Sequence, residues 1–122
     1  MDTRRAQMIE IYYFDIESIS EYQLQKAYSW ISEDRKKKAR RYKFRDDEKR
    51  CVFGEALVRY GLLKKGYEKD ISIFHNSFGK PYMGKNDTFF NISHAGNWVS
   101  VAFSDDEIGI DIEKKIYDED VC

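Results

Sequence analysis

Proline and cysteine are scarce in this sequence. Its 122 residues include one proline, Pro81, and two cysteines, Cys51 and Cys122. Two cysteines this far apart have no metal-ligand spacing and build no disulfide framework, which suits a reducing cytoplasm. One proline and seven glycines leave no Pro/Gly/Ser-rich linker, and there is no internal repeat or low-complexity run. No stretch approaches the roughly 20 apolar residues needed to cross a bilayer. Met1 to Glu10 lacks the apolar core of a signal peptide. The expectation is a cytoplasmic, soluble domain with no membrane partner. An excess of charge of one sign is missing too: 21 Lys and Arg stand against 22 Asp and Glu, for a net charge of -1. That balance hides local fields, because the charges are segregated along the chain.

Apolar material is plentiful. Hydrophobic residues make up 42% and aromatic residues 16%, enough for one folded domain with a modest core. Ile9 to Ile16, rich in Ile, Tyr and Phe, reads as a first strand. Ser18 or Ser20 can cap a short helix running toward Trp30, and Ser32-Glu33-Asp34 can cap a second one. That second helix is expected to carry the basic run Arg35 to Arg45. Asp46-Asp47-Glu48 places acids where a third helix would begin. Val52, Phe53, Ala56, Leu57, Tyr60 and Leu63 then recur near helical spacing up to a stop at Gly66. The second half reads differently, with strands at Ile71 to Phe74, Phe89 to Ser93, Trp98 to Phe103 and Ile108 to Glu113. Turns fall at Ser77 to Pro81 and His94 to Asn97. Helices followed by a meander of strands predict an α+β domain.

The strand Ile108-Gly109-Ile110-Asp111-Ile112-Glu113 alternates. Its three isoleucines share one face, and Gly109, Asp111 and Glu113 share the other. Asp111 and Glu113 are about 7 Å apart at Cα, close enough for both carboxylates to reach one Mg²⁺, which favours a few carboxylates plus water and phosphate. On spacing alone a solvated acidic face is the better reading, because an Asp-x-Glu pair is a weak motif.

The run Arg35, Lys36, Lys37, Lys38, Arg40, Arg41, extended by Lys43 and Arg45, is the basic counterpart. On a helix Arg35 and Lys38 lie one turn apart, as do Lys37 and Arg41. Such pairs clamp phosphate, coat a nucleic-acid backbone, or simply form a solvated face. A pI near 6.1 and few basic residues among the strand aromatics weigh against nucleic acid. Gly79-Lys80-Pro81 presents one lysine on a rigid turn. Ser93-His94 stands at a strand end, where both residues can meet phosphate oxygens; His94 serves equally well as a structural histidine. No Gly-x-Ser-x-Gly elbow supports a serine-histidine triad.

The order of these pieces is more specific than any one of them. Phe78-Gly79-Lys80-Pro81-Tyr82, then Phe90 to Val99 with Ser93-His94-Ala95-Gly96-Asn97-Trp98, then Ile108 to Glu113 resembles the 4′-phosphopantetheinyl transferases of the surfactin-synthetase-activating type. Ser32 to Arg59, ending Gly54-Glu55-Ala56-Leu57-Val58-Arg59, resembles their N-terminal helices. The likeness runs from about Ile9 to Lys115.

The resemblance implies a fold, a reaction and a site. The fold is an antiparallel sheet with helices packed on one side. The reaction moves 4′-phosphopantetheine from coenzyme A to a serine of an apo acyl or peptidyl carrier protein. By the same resemblance Asp111 and Glu113 are Mg²⁺ ligands, and together with His94 they are catalytic. Arg35 and Lys38 contact the 3′-phosphate, Gly79, Lys80 and Pro81 contact the nucleotide, and Ser93 and His94 contact the pyrophosphate. Cys51 falls where some members carry a small hydroxyl residue. Nothing here matches the Trp-x-x-Lys-Glu-x-x-x-Lys helix of the family's second lobe. In the shorter, trimeric carrier-protein synthases the Gly-Ile-Asp strand lies near the N-terminus, whereas here it is near the C-terminus. The expectation is therefore one domain, residues 1–122, equivalent to an N-terminal lobe without the second, working with a complementary C-terminal lobe or by self-association. A non-catalytic module binding coenzyme A or a carrier protein is the alternative, with nucleic-acid binding behind it.

Overall fold

The computed structural model describes residues 9–78, 80–84 and 88–105. Its elements run β1 (Ile9–Asp15), a 3₁₀ turn (Ile16–Ser18), α1 (Glu21–Tyr28), α2 (Glu33–Arg40), α3 (Arg45–Lys64), β2 (Phe74–His75), β3 (Pro81–Tyr82), β4 (Phe89–Ala95) and β5 (Trp98–Ser104). One sheet has the order β1-β5-β4, and β2 and β3 form a separate antiparallel pair. This is the α+β arrangement the sequence predicts, an antiparallel sheet with three helices alongside. The strand expected at Ile108 to Glu113 lies outside the described residues.

The helix starts follow local chemistry. Ser20 caps α1 through a reciprocal box: its hydroxyl accepts from the Gln23 amide at 3.1 Å, and the Gln23 side chain accepts from the Ser20 amide at 2.9 Å. Ser18 belongs instead to the 3₁₀ turn. Ser32 caps α2 by accepting from the Arg35 amide at 3.2 Å. The basic run is not one helix, as expected, but is divided between two. Helix α2 ends at Arg40, and Arg45 opens α3. The macrodipole accounts for the break: Lys37, Lys38 and Arg40 suit a helix C-terminus, and Asp46, Asp47 and Glu48 suit an N-terminus. Helix α3 ends at Lys64 with Lys65 as its cap, and Gly66 beyond it takes φ +99°, the left-handed value of a helix stop.

By proximity the chain divides into two compact units. The first comprises Tyr12–Ile71 and Ile92–Val101. Its core joins Ile16, Leu24, Ala27, Ile31, Val52 and Val99, all buried. Alternate β1 residues take opposite partners, as a strand requires. Tyr12 and Phe14 meet Tyr60 and Phe53 of α3, with ring centroids 5.8 and 5.1 Å apart, while Tyr13 meets Trp98 at 5.7 Å. Strands β4 and β5 are joined by a two-residue turn, Gly96-Asn97. Gly96 alone has positive φ, +59°, which is the type II′ pattern. Two contacts hold this turn: the Ile16 amide donates to the Asn97 carbonyl at 2.8 Å, and Arg50 donates to the Gly96 carbonyl at 3.2 Å. The turn is shorter than expected, because β4 runs on through His94 and Ala95.

The described residues of the second unit are 9–11, 72–78, 80–84, 88–91 and 102–105. Phe90 and Phe103 pack with ring centroids 6.0 Å apart. The strand expected over Ile71 to Phe74 is only two residues long. It pairs Phe74 with Tyr82 and His75 with Pro81.

Candidate functional site

Helix α2 carries the first predicted pair. Arg35 is half-buried and Lys38 exposed. The Arg35 Nε donates to the Cys51 carbonyl of α3 at 3.3 Å, which fixes the root of the guanidinium and leaves its two terminal nitrogens without a hydrogen-bond partner among the described residues. Neither Arg35 nor Lys38 has an ion pair among the described residues. Both lie near the buried Cys51 thiol. Burial pushes that thiol's pKa up, and the charges of Arg35 and then Lys38 pull it partly back. The thiol therefore favours its neutral form.

A buried ion pair supports this helix start. Glu55 and Arg59 sit one turn apart on α3, both within the core, with Arg59 Nε 3.4 Å from the Glu55 carboxylate. The same carboxylate oxygen accepts from the Ser32 amide at 2.7 Å, holding the residue that caps α2. Arg59 also donates to the carbonyls of Lys69 and Ile71, each at 2.9 Å. Every buried side-chain nitrogen and oxygen among the described residues has a partner. Sequence reasoning assigned no role to Glu55 and Arg59. The available signal was a Glu-x-x-x-Arg pair amid Val52, Ala56, Val58 and Leu62, where a solvated face is impossible.

Several of the other basic residues are committed, while Lys37 and Arg41, like Lys38, have no ion pair among the described residues. Arg45 bonds Glu48 at 2.6 Å and Glu21 at 2.7 Å. Arg50 bonds Asp47 at 3.1 Å, and Lys36 bonds Glu33 at 2.9 Å. Arg40 lies over the Tyr28 ring, 5.1 Å from its centroid, and the Tyr28 hydroxyl donates to Glu48. Burial first, then Glu48, pushes the Tyr28 phenol well above its usual value. Burial raises Glu48 as well, but the bonds from Tyr28 and Arg45 outweigh it and hold the carboxyl below its ordinary range.

Of the remaining predicted residues, Ser93 and His94 are neighbours within β4, so their side chains take opposite faces. The Ser93 hydroxyl lies 3.2 Å from that of Ser100, and His94 is exposed. In the second unit, Asn76 organises the turn between β2 and β3. Its side chain accepts from the amides of Phe78 and Lys80, each at 2.9 Å, and its amide donates to the Lys80 carbonyl at 3.0 Å. Lys80 therefore has a fixed backbone, and Pro81 opens β3. Gly79, Asp111 and Glu113 lie outside the described residues. Among the described residues, no three His, Cys, Asp or Glu side chains come together to hold a metal ion. No described helix is long and apolar enough to cross a membrane.

Comparison with known proteins bears on the span containing α2, α3 and the turns. The 4′-phosphopantetheinyl transferase Sfp of Bacillus subtilis (strain 168) is 37% identical over 100 residues, covering 79% of this chain and 44% of that protein. The 4′-phosphopantetheinyl transferase ffp of Bacillus subtilis is 35% identical over 100 residues, with the same two coverages. The 4′-phosphopantetheinyl transferase psf-1 of Bacillus pumilus is 32% identical over 96 residues, covering 75% of this chain and 41% of that protein. The chain thus spans less than half the length of these relatives. Residues 18–106 match the family described as "4′-phosphopantetheinyl transferase, N-terminal", and the chain belongs to that family.

Proposed function

We propose that this chain is the coenzyme-A-gripping part of a 4′-phosphopantetheinyl transferase, which converts an apo carrier protein to its holo form. The observation that carries the reading is the cation pair Arg35 and Lys38. Among the described residues neither has an ion pair, a state they share with Lys37 and Arg41; what sets this pair apart is the anchoring of Arg35 Nε on the Cys51 carbonyl, one turn from Lys38 and inside the matched span. Their spacing on α2 and the anchored Arg35 root suit a phosphate monoester such as the 3′-phosphate of coenzyme A. Lys80, on its Asn76-held turn with Gly79 and Pro81, is assigned to the nucleotide phosphates. Ser93 and His94 are assigned to the pyrophosphate; because they face opposite ways, one bonds through its side chain where the other bonds through its backbone.

In the reaction a carrier serine hydroxyl attacks the β-phosphate of coenzyme A, and adenosine 3′,5′-bisphosphate leaves. The chain's own cations bind and orient the nucleotide and stabilise charge on the leaving group. Asp111 and Glu113 have the donor chemistry for Mg²⁺, two hard carboxylates on one face of an alternating sequence. When bound there, the ion would neutralise pyrophosphate oxygens. A two-carboxylate set leaves coordination positions for substrate and for one more acidic ligand. That ligand is assigned to the part of the relatives beyond the matched span, so full catalysis is expected to need a complementary C-terminal lobe or a second copy of this chain. The cytoplasm, where coenzyme A and carrier proteins meet, is the proposed location.

Titration calorimetry with coenzyme A, with and without Mg²⁺, tests the binding half of the reading. Transfer of labelled phosphopantetheine to an apo carrier protein, with and without an added complementary lobe, tests the catalytic half. Binding without transfer under either condition would leave a non-catalytic coenzyme A module. Absence of binding would overturn the assignment.

A further inference from the structure

We infer that Glu55 and Arg59 are positioning residues, a buried clasp that sets the start of α2 and thereby aims Arg35. One oxygen of Glu55 takes both the Ser32 amide and Arg59 Nε. Ser32 in turn caps α2 by accepting from the Arg35 amide. The chain of bonds therefore runs Arg59, Glu55, Ser32, Arg35, and the Arg35 side chain ends on the Cys51 carbonyl of the helix that carries the clasp. Both ends of Arg35, its amide and its Nε, are referred to α3. Arg59 extends the chain in the other direction by gripping the carbonyls of Lys69 and Ile71. A carboxylate and a guanidinium in an apolar core gain little net stability over an apolar pair, so a geometric role accounts better for their placement there. A clasp of this kind converts a flexible helix end into a fixed mount, which is what discrimination of one phosphate requires.

The inference rests on the reading of Arg35 as a 3′-phosphate contact, so its test separates the two. Calorimetry would compare coenzyme A with 3′-dephospho-coenzyme A in the wild type and in Glu55→Gln and Glu55→Ala variants. The wild type is expected to prefer coenzyme A at least tenfold. Glu55→Ala is expected to lose that preference, with 3′-dephospho-coenzyme A affinity unchanged within twofold. Glu55→Gln, which can still accept from Ser32, is expected to retain part of it. A general loss of packing would weaken both ligands alike. Preferences that stay at the wild-type value in both variants, or equal losses for both ligands, would overturn the clasp. A wild type that shows no preference would instead overturn the assignment of Arg35. In that case amide exchange decides the clasp: Glu55→Ala should speed exchange at Arg35 and around Lys69–Ile71 at least tenfold more than in the β4–β5 hairpin. Uniform or absent acceleration would overturn it. Should Glu55→Ala fail to fold, Arg59→Met carries the same comparisons.

Discussion

Two groups of cations stand a short way apart in the helical unit, and they are built in opposite senses. At the start of α3, Arg45 and Arg50 each meet a carboxylate, and Glu48 gathers Arg45 and the Tyr28 hydroxyl at one point. On α2, Arg35 and Lys38 meet no carboxylate among the described residues, although Glu33 and Asp34 are close to Arg35 in sequence. Glu33 pairs with Lys36 instead, and that bond holds its carboxyl below the ordinary value. The first group is closed and structural. The second is open and available to an anion. A run of basic residues in a sequence does not make this distinction; the carboxylate facing each residue does.

The largest expected effect breaks the open group. Replacing both Arg35 and Lys38 with Ala removes two charge-assisted contacts to phosphate, each worth about 1.5–3 kcal/mol, so affinity for coenzyme A should fall by roughly a hundredfold or more. Thermal stability should fall only modestly, because among the described residues neither side chain has an ion pair to lose and the bond from Arg35 Nε to the Cys51 carbonyl is worth about 1 kcal/mol. Calorimetry and a melting curve on the same sample check both halves. If the affinity survives, the open group is a solvated face.

The closed group should respond in the reverse way. Tyr28→Phe removes the hydroxyl that donates to Glu48 in a largely buried setting, at a cost of about 1–2 kcal/mol. Coenzyme A affinity should stay within twofold of wild type. Denaturant unfolding measures the first effect and calorimetry the second. A variant that keeps its stability but loses affinity would show that the two groups are one site.

The closed group also has a pH signature. Glu48 is held below its ordinary value of 4.5, so its folded form favours the ionised state. A depressed carboxyl contributes stability above the unfolded value and loses it as pH falls through the folded one. Wild type should therefore melt higher than Glu48→Gln at pH 6 to 8, by a few degrees, and the gap should close below about pH 4.5. A gap that persists at pH 3 would mean that Glu48 acts by shape rather than charge.

Sequence alone reached the elements whose causes are local. The Ser20 and Ser32 caps, the acidic first turn of α3, the Gly66 stop and the first strand rich in Ile, Tyr and Phe each depend on a few neighbouring residues, and each is where expected. What the sequence missed depends on distant partners. Nothing near Ile71 announces that Arg59 takes its carbonyl, or that the strand there shrinks to Phe74 and His75. The division of Arg35 to Arg45 between two helices was open to reading, since the acids at 46–48 mark a new start, but the basic run suggested continuity. For the site, Arg35 and Lys38 could be picked out by resemblance. Their lack of an ion pair among the described residues, and the support of Arg35 by Glu55, could be read only from the fold. Gly79, Asp111 and Glu113 remain expectations from their motifs.

Cys51 gives the finest test of the open group, because it lies beside the cations without being one. It is buried, and its thiol pKa is raised despite the pull of Arg35 and Lys38. If the site works through the two charges, the thiol serves only as packing, and its carbonyl, which holds Arg35, survives any side-chain change. Cys51→Ser should then cost about 1 kcal/mol of stability for a buried hydroxyl and move coenzyme A affinity by less than threefold. If the nucleotide reaches this position, the serine hydroxyl can donate to it where a thiol does so poorly, and affinity should rise by more than that. Calorimetry on the one variant distinguishes a site that ends at α2 from one that extends across to α3.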